Sequence, residues 1–268
     1  MIDLKTKSKA ENLLMQSSLK QYFTEVYKVV AFTLRFFKEI FLPPYEFKEI
    51  VRQCYYIGYK SVALISLTGF ITGIVFTKQS RPSLSEFGAS SWLPSLVGIA
   101  IVRALAPLIT ALIAAGKVGS NIGAELGSMK VTEQIDAMEV SGTKPFKFLV
   151  CTRIAATTIM MPALVMYTGF VGMIGAFLNV HHNEMTSIKT FFQDAFYSIS
   201  FLDIFASITK ALVFGFTIGV TGCYQGYYTT QGTQGVGRAA NSAVVVSMFL
   251  IFIEEIIIVQ IVNTIRPL

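Results

Sequence analysis

The chain has 268 residues, of which 53% are hydrophobic and 14% charged, and its mean hydropathy is +0.59. Soluble domains carry about a quarter of their residues as Asp, Glu, Lys and Arg, so a soluble globular fold is excluded and a polytopic membrane protein is expected. A net charge of +6 would suit nucleic acid in a soluble protein. Here the basic residues gather in the N-terminal segment and in particular loops, which matches cytoplasmic loops beside anionic headgroups and not DNA.

Residues 1–20 (MIDLKTKSKAENLLMQSSLK) are charged and poor in aromatics, which predicts a flexible cytoplasmic tail. The first forty residues lack a short apolar core and a small-residue cleavage site, so no cleavable signal peptide is expected. Residues 21–50 set Tyr22, Phe23, Val26, Val30, Phe37 and Ile40 among Lys28, Arg35, Lys38 and Glu39. That spacing predicts an amphipathic helix along the inner leaflet, ending near Pro43-Pro44.

Crossing about 30 Å of hydrocarbon takes roughly 20 apolar residues. Five segments reach that length, at about 53–77, 92–116, 146–178, 201–223 and 240–264. The expected fold is therefore an all-α polytopic membrane protein: five transmembrane helices preceded by an amphipathic interfacial helix, with a short cytoplasmic helix at about 132–141. Residues 51–268 form its membrane domain. Loops are expected at 78–91, 179–200 and 224–239. Lys and Arg are dense in the tail and in 117–153, whereas 179–200 has only Lys189 beside Glu184 and Asp194. The positive-inside bias puts the N-terminus in the cytoplasm and the C-terminus outside, with Lys78 and Arg81 pulling weakly the other way.

No catalytic or metal signature is present. His181 and His182 sit in an expected external loop without carboxylate or thiol neighbours, and Cys54, Cys151 and Cys223 are dispersed, so neither a metal site nor a disulfide framework is expected. Gly116-Lys117 resembles the end of a phosphate loop, but Ala111-Leu112-Ile113-Ala114-Ala115 precedes it in place of the required GxxxxGK[ST] frame. No bound cofactor is expected. Gly116, Gly119, Gly123 and Gly127 recur at three- and four-residue steps, the spacing that lets helices pack closely in a membrane.

The segment after these glycines is polar. Thr132 is placed to cap a helix beginning with Glu133 and Gln134, and Gly142 and Pro145 are placed to stop it. Val131, Ile135 and Met138 fall on one side, and Glu133, Asp136 and Glu139 on the other. A solvated loop helix and a docking surface for a partner both fit. Within the spans lie Arg103, Lys210, Glu254 and Glu255. Each costs about 2.5–3.5 kcal/mol at the bilayer centre on insertion scales, so they should face the bundle interior. An internal pair such as Lys210 with Glu255 and a polar cavity for a charged headgroup are both consistent with this.

Three runs, APLITALIAAGKVGSNIGAELGSMKVTEQIDAMEV (106–140), GTKPFKFLVCTRIAA (142–156) and GCYQGYYTTQGTQGVGRAANSAVVVS (222–247), resemble the MlaE/YrbE permeases, with agreement over about residues 48–265. The resemblance implies the membrane subunit of an ABC-type lipid transporter in the bacterial inner membrane. Such a subunit forms a homodimer and carries phospholipid between the inner membrane and the outer envelope, contributing to outer-membrane lipid asymmetry. The implied partners are an ABC ATPase holding ATP-Mg, an MCE-domain periplasmic protein and a small STAS-type cytoplasmic subunit.

On this resemblance Glu133, Gln134, Asp136 and Glu139 match the coupling helix that docks on the ATPase. Lys210 and Glu255 match a basic and an acidic position of the last two spans, which makes them lipid-cavity or ion-pair residues. The chain departs from the family's Arg-Glu pattern at Arg103-Ala104, so Arg103 needs another partner, lipid phosphate or Glu254. Lys117 replaces a frequent arginine, and Thr152-Arg153 replaces Pro-Arg. The competing readings are an ATPase-independent scramblase or secondary transporter and, less compatible with the residues, an integral membrane enzyme.

Overall fold

The computed structural model describes residues 23–43, 45–230 and 232–265. The tail expected over 1–20 lies outside the described residues. The chain divides into two units, Met1–Tyr45 and Glu46–Leu268.

In the first unit, residues 23–40 form helix α1. Phe23, Tyr27, Val30, Leu34 and Phe37 make an exposed apolar stripe at helical spacing. Ion pairs Lys28–Glu25 (2.7 Å) and Arg35–Glu39 (2.8 Å) lie along the same helix. The helix expected over 21–50 is not continuous, because residues 47–50 already belong to the next one. Proline has no N–H and disfavours helical geometry in the residue before it, and α1 ends at residue 40, ahead of Pro43.

In the second unit the described elements are helices: α2 (Phe47–Glu86), α3 (Ser90–Val131), α4 (Gln134–Val140), α5 (Phe146–Glu184), α6 (Ile188–Ser198), α7 (Phe201–Tyr227) and α8 (Gly232–Ile265). Five of them, α2, α3, α5, α7 and α8, are long and apolar enough to cross a membrane. The protein is thus an all-α polytopic membrane protein.

Each spanning helix outruns its apolar run. Helix α2 begins at Phe47, where Glu49 accepts hydrogen bonds from Arg52 (3.3 Å) and Gln53 (2.7 Å) within the first turns. The loop expected at 224–239 is mostly helical: α7 runs to Tyr227 and α8 starts at Gly232, with Tyr224 and Tyr227 buried against protein. The loop expected at 179–200 is likewise the end of α5 followed by α6. His181 and His182 lie on the last turn of α5, where His181 Nδ1 is 2.8 Å from the Thr186 carbonyl oxygen and its ring packs 5.4 Å from Phe177. Hydropathy marks the length that faces lipid, whereas helix length follows backbone hydrogen bonding and protein contacts.

Small residues bring the helices together. A Cβ on Gly73 of α2 would collide with the Gly172 carbonyl of α5, and one on Gly175 of α5 with the Phe70 carbonyl of α2. Helix α6, capped by Ser187, inserts Phe191 and Ala195 into the core beside α3, where Gly98 faces Ala195 and Ser95 donates to the Asp194 carbonyl (3.1 Å).

Two π turns interrupt α3, at Ile101–Leu105 and Ala115–Gly119. They contain Arg103 and Lys117, the two basic residues in the apolar part of this helix. A π turn admits an extra residue and re-aims the side chains around it.

Candidate functional site

Helix α7 places Asp203, Lys210 and Thr217 seven residues apart, hence on one face. That face meets α8 and the first half of α3 in a polar seam. Lys210 is fully buried, and its Nζ donates to Glu255 Oε1 of α8 (2.5 Å) and to the Arg103 carbonyl oxygen of α3 (3.1 Å). Pro107 lies four residues after Arg103 and has no N–H, so this carbonyl lacks its usual helical donor. The lysine supplies the missing hydrogen bond.

The remaining rungs follow the antiparallel run of α7 and α8. Thr217 Oγ1 donates to Glu254 Oε1 (2.5 Å), and the hydroxyls of Thr221 and Ser247 bond to each other further along. At the opposite end of the seam the Arg103 guanidinium donates to Asn263 Oδ1 (2.5 Å), and its Nε lies 3.9 Å from Asp203 Oδ1. Asp203 also accepts from the Ser200 backbone N–H (3.1 Å) in a capping box that starts α7. The second oxygens of Glu254 and Glu255 are buried without a hydrogen-bond partner in the chain.

The proposed Arg103–Glu254 pairing is corrected by this geometry. Asp203 and Asn263 stand at the level of Arg103, whereas Glu254 lies deeper along α8 and is held by Thr217. Asp203, Thr217 and Asn263 were not singled out from the sequence. The seven-residue step from Asp203 through Lys210 to Thr217 is a signal that could have found two of them.

The other end of α3 leads to α4. Ile135 is buried and anchors this helix, while Glu133, Gln134, Asp136 and Glu139 are exposed. Asp136 pairs with Lys130 (2.6 Å). Thr132 does not cap α4, because its hydroxyl donates to the Ser128 carbonyl (2.8 Å) as the last turn of α3 closes. Glu133 occupies the N-cap in a left-handed conformation (φ 59°) with no side-chain cap bond. Gly142, with φ 79°, ends α4 in a Schellman motif, Thr143 N–H bonding to the Met138 carbonyl (3.1 Å) and Gly142 N–H to that of Glu139 (3.0 Å).

The glycines at 116, 119, 123 and 127 of α3 differ. A Cβ on Gly123 would lie 3.2 Å from the Ala239 carbonyl oxygen of α8, and one on Gly127 would lie 2.9 Å from Thr229 Oγ1. Gly116 is not a close-packing position, since the nearest atom to such a Cβ is 3.9 Å away, whereas Gly119 is buried and its carbonyl oxygen lies 3.2 Å from where a Cβ on Gly222 of α7 would stand. Both sit in the second π turn. Between these groups a buried Arg153 on α5 pairs with Glu125 on α3 (2.9 Å).

The comparisons with known proteins agree with this architecture. The family model described as Permease MlaE matches residues 50–261. A probable ABC transporter permease of Rickettsia typhi is 38% identical over 221 residues, covering 82% of this chain and 85% of that protein. A probable ABC transporter permease of Synechocystis is 36% identical over 209 residues, covering 78% and 79%. The Arabidopsis thaliana chloroplast protein trigalactosyldiacylglycerol 1 is 33% identical over 211 residues, covering 79% of this chain and 60% of that one. With a five-span helical bundle, a buried polar seam and a family match over most of its length, the chain is a multi-pass membrane protein that belongs to the MlaE permease family.

Proposed function

We propose that this chain is the membrane subunit of an ABC-type lipid transporter, driven by a separate ATPase that docks on α4. The observation that carries this reading is the form of α4 itself. One buried residue, Ile135, fixes the helix to the bundle, and its acidic face is left open to solvent together with Val140, which is 90% exposed. A docking surface combines an apolar contact, here Val140, with charges that set the register, here Glu133, Asp136 and Glu139.

Lipid is the cargo we assign. Phospholipid headgroups carry charge and their tails do not, and the seam offers charged and hydroxyl groups within an otherwise apolar bundle. The glycerolipid in the name of the Arabidopsis relative is in keeping with this. The assembly we infer is a homodimer in the bacterial inner membrane, with the N-terminus cytoplasmic and the C-terminus periplasmic. An MCE-domain protein would sit on the periplasmic side and a STAS-type subunit on the cytoplasmic side. Movement of lipid toward or from the outer envelope would contribute to outer-membrane asymmetry.

The test is purification from native membranes, with mass spectrometry of co-purifying chains and lipids. An ATPase is expected with the wild type, and its loss with Glu133→Lys/Glu139→Lys. Recovery of an active lipid carrier with no ATPase would replace this reading with an ATPase-independent scramblase.

A further inference from the structure

A second polar site lies outside the seam, between the early turns of α2 and the second half of α3. It is an open cleft of about 430 Å³ whose lining includes Arg52, Tyr56, Lys60, Ser61, Lys117 and Asn121. Its charges are unbalanced. Arg52 is 3.3 Å from Glu49, and Glu125 at the rim is held by Arg153 at 2.9 Å. Among the described residues no carboxylate pairs with Lys60 or Lys117. Lys60 Nζ lies over the Tyr56 ring at 4.1 Å, and Lys117 Nζ donates to the Lys60 carbonyl oxygen. Both lysines thus line the cleft without a carboxylate to neutralise them.

Ser61 points to what compensates. It lines the same cleft, is only 2% exposed, and its hydroxyl has no hydrogen-bond partner. A serine in a helix normally donates to the carbonyl one turn back, as Ser66 does to Val62 in this helix (2.7 Å). A buried hydroxyl left unpaired costs about 1–3 kcal/mol, and the same cleft holds two lysines with no counter-charge. An oxyanion satisfies both, accepting from the hydroxyl and neutralising the lysines. The second π turn of α3 directs Lys117 into this cleft, as the first brings Arg103 to the seam.

We propose that this cleft binds a phosphate group, with Lys60 and Lys117 supplying the charge and Ser61 a hydrogen bond. The site does not depend on the lipid-permease reading; only the assignment of its phosphate to a lipid headgroup does.

Binding is measured on the full chain in detergent micelles by thermophoresis. The probes are dihexanoyl phosphatidylglycerol, dihexanoylglycerol, which has the same tails without phosphate, and inorganic phosphate. The wild type should bind the phosphatidylglycerol at least about tenfold more tightly than dihexanoylglycerol. Lys60→Gln/Lys117→Gln should abolish that preference, Lys60→Arg/Lys117→Arg should keep it, and Ser61→Ala should weaken it several-fold. Lys60→Gln alone removes no hydrogen bond within the protein, and it too should reduce the preference if the double variant fails to fold. Displacement of the lipid by inorganic phosphate at equal affinity would assign the site to free phosphate, and resistance to displacement would assign it to a headgroup. The proposal is overturned if folded Lys60→Gln binds all probes as the wild type does, or if the wild type binds neither phosphate-bearing probe better than dihexanoylglycerol.

Discussion

Lys210 on α7 donates to the carbonyl oxygen of Arg103 on α3 at 3.1 Å, the carbonyl that Pro107 leaves without a helical donor. With its bond to Glu255 at 2.5 Å, this one ammonium joins three spanning helices. Removing it strands the Glu255 carboxylate and takes one hydrogen bond from the Arg103 carbonyl. Lys210→Met should lower stability by about 3–5 kcal/mol, the cost of breaking a buried pair from one side. Lys210→Met/Glu255→Leu should recover a large part of that loss, because no charge is left alone. Denaturant unfolding in detergent measures both, and equal damage in the single and double variants would mean that the two groups are not coupled.

At the outer rung the partners of Arg103 are Asp203 and Asn263. A double-mutant cycle of Arg103→Ala with Asp203→Asn should show a coupling of about 0.5 kcal/mol or more, as for residues in one network. The cycle of Arg103→Ala with Glu254→Gln should be additive to within about 0.5 kcal/mol. Coupling confined to the second pair would restore the Glu254 assignment.

Close packing and small size are separable in the glycines. Gly73→Ala places a methyl against the Gly172 backbone and should destabilise by about 1–3 kcal/mol, the range for overpacking. Gly116→Ala meets nothing nearer than 3.9 Å and should be neutral or stabilise by up to about 1 kcal/mol through helix propensity. Thermal unfolding of the two variants in one detergent ranks them.

Glu133 holds a left-handed conformation, φ 59°, at the start of α4. For a residue with a Cβ this costs roughly 1–2 kcal/mol. Glu133→Gly should therefore slow amide hydrogen exchange across α4, while Glu133→Val should accelerate it. The measurement is made on the chain without an ATPase, so that it reads the local strain alone.

Much of this protein could be read from its residues because the bilayer imposes one rule. Every backbone polar group in hydrocarbon must be satisfied within its own helix, so apolar runs of sufficient length can only be spanning helices, and all five were found this way. The stop at Gly142 was legible for a similar reason, since a positive φ favours glycine. The family could be recognised from three motifs in order. Helix ends were misjudged wherever polar residues continue a helix that packs on protein, as at Phe47, Glu184 and Gly232.

What the sequence by itself determined is the class: five spans and their order. Only the tertiary structure decided the partners, because pairing depends on rotation and depth between helices far apart in the chain. Two π turns in α3 set that rotation for Arg103 and Lys117, and no period in the sequence announces them. They turn one basic residue into the seam and the other into a separate cleft, and of the glycines in the second turn Gly119 packs on α7 while Gly116 does not.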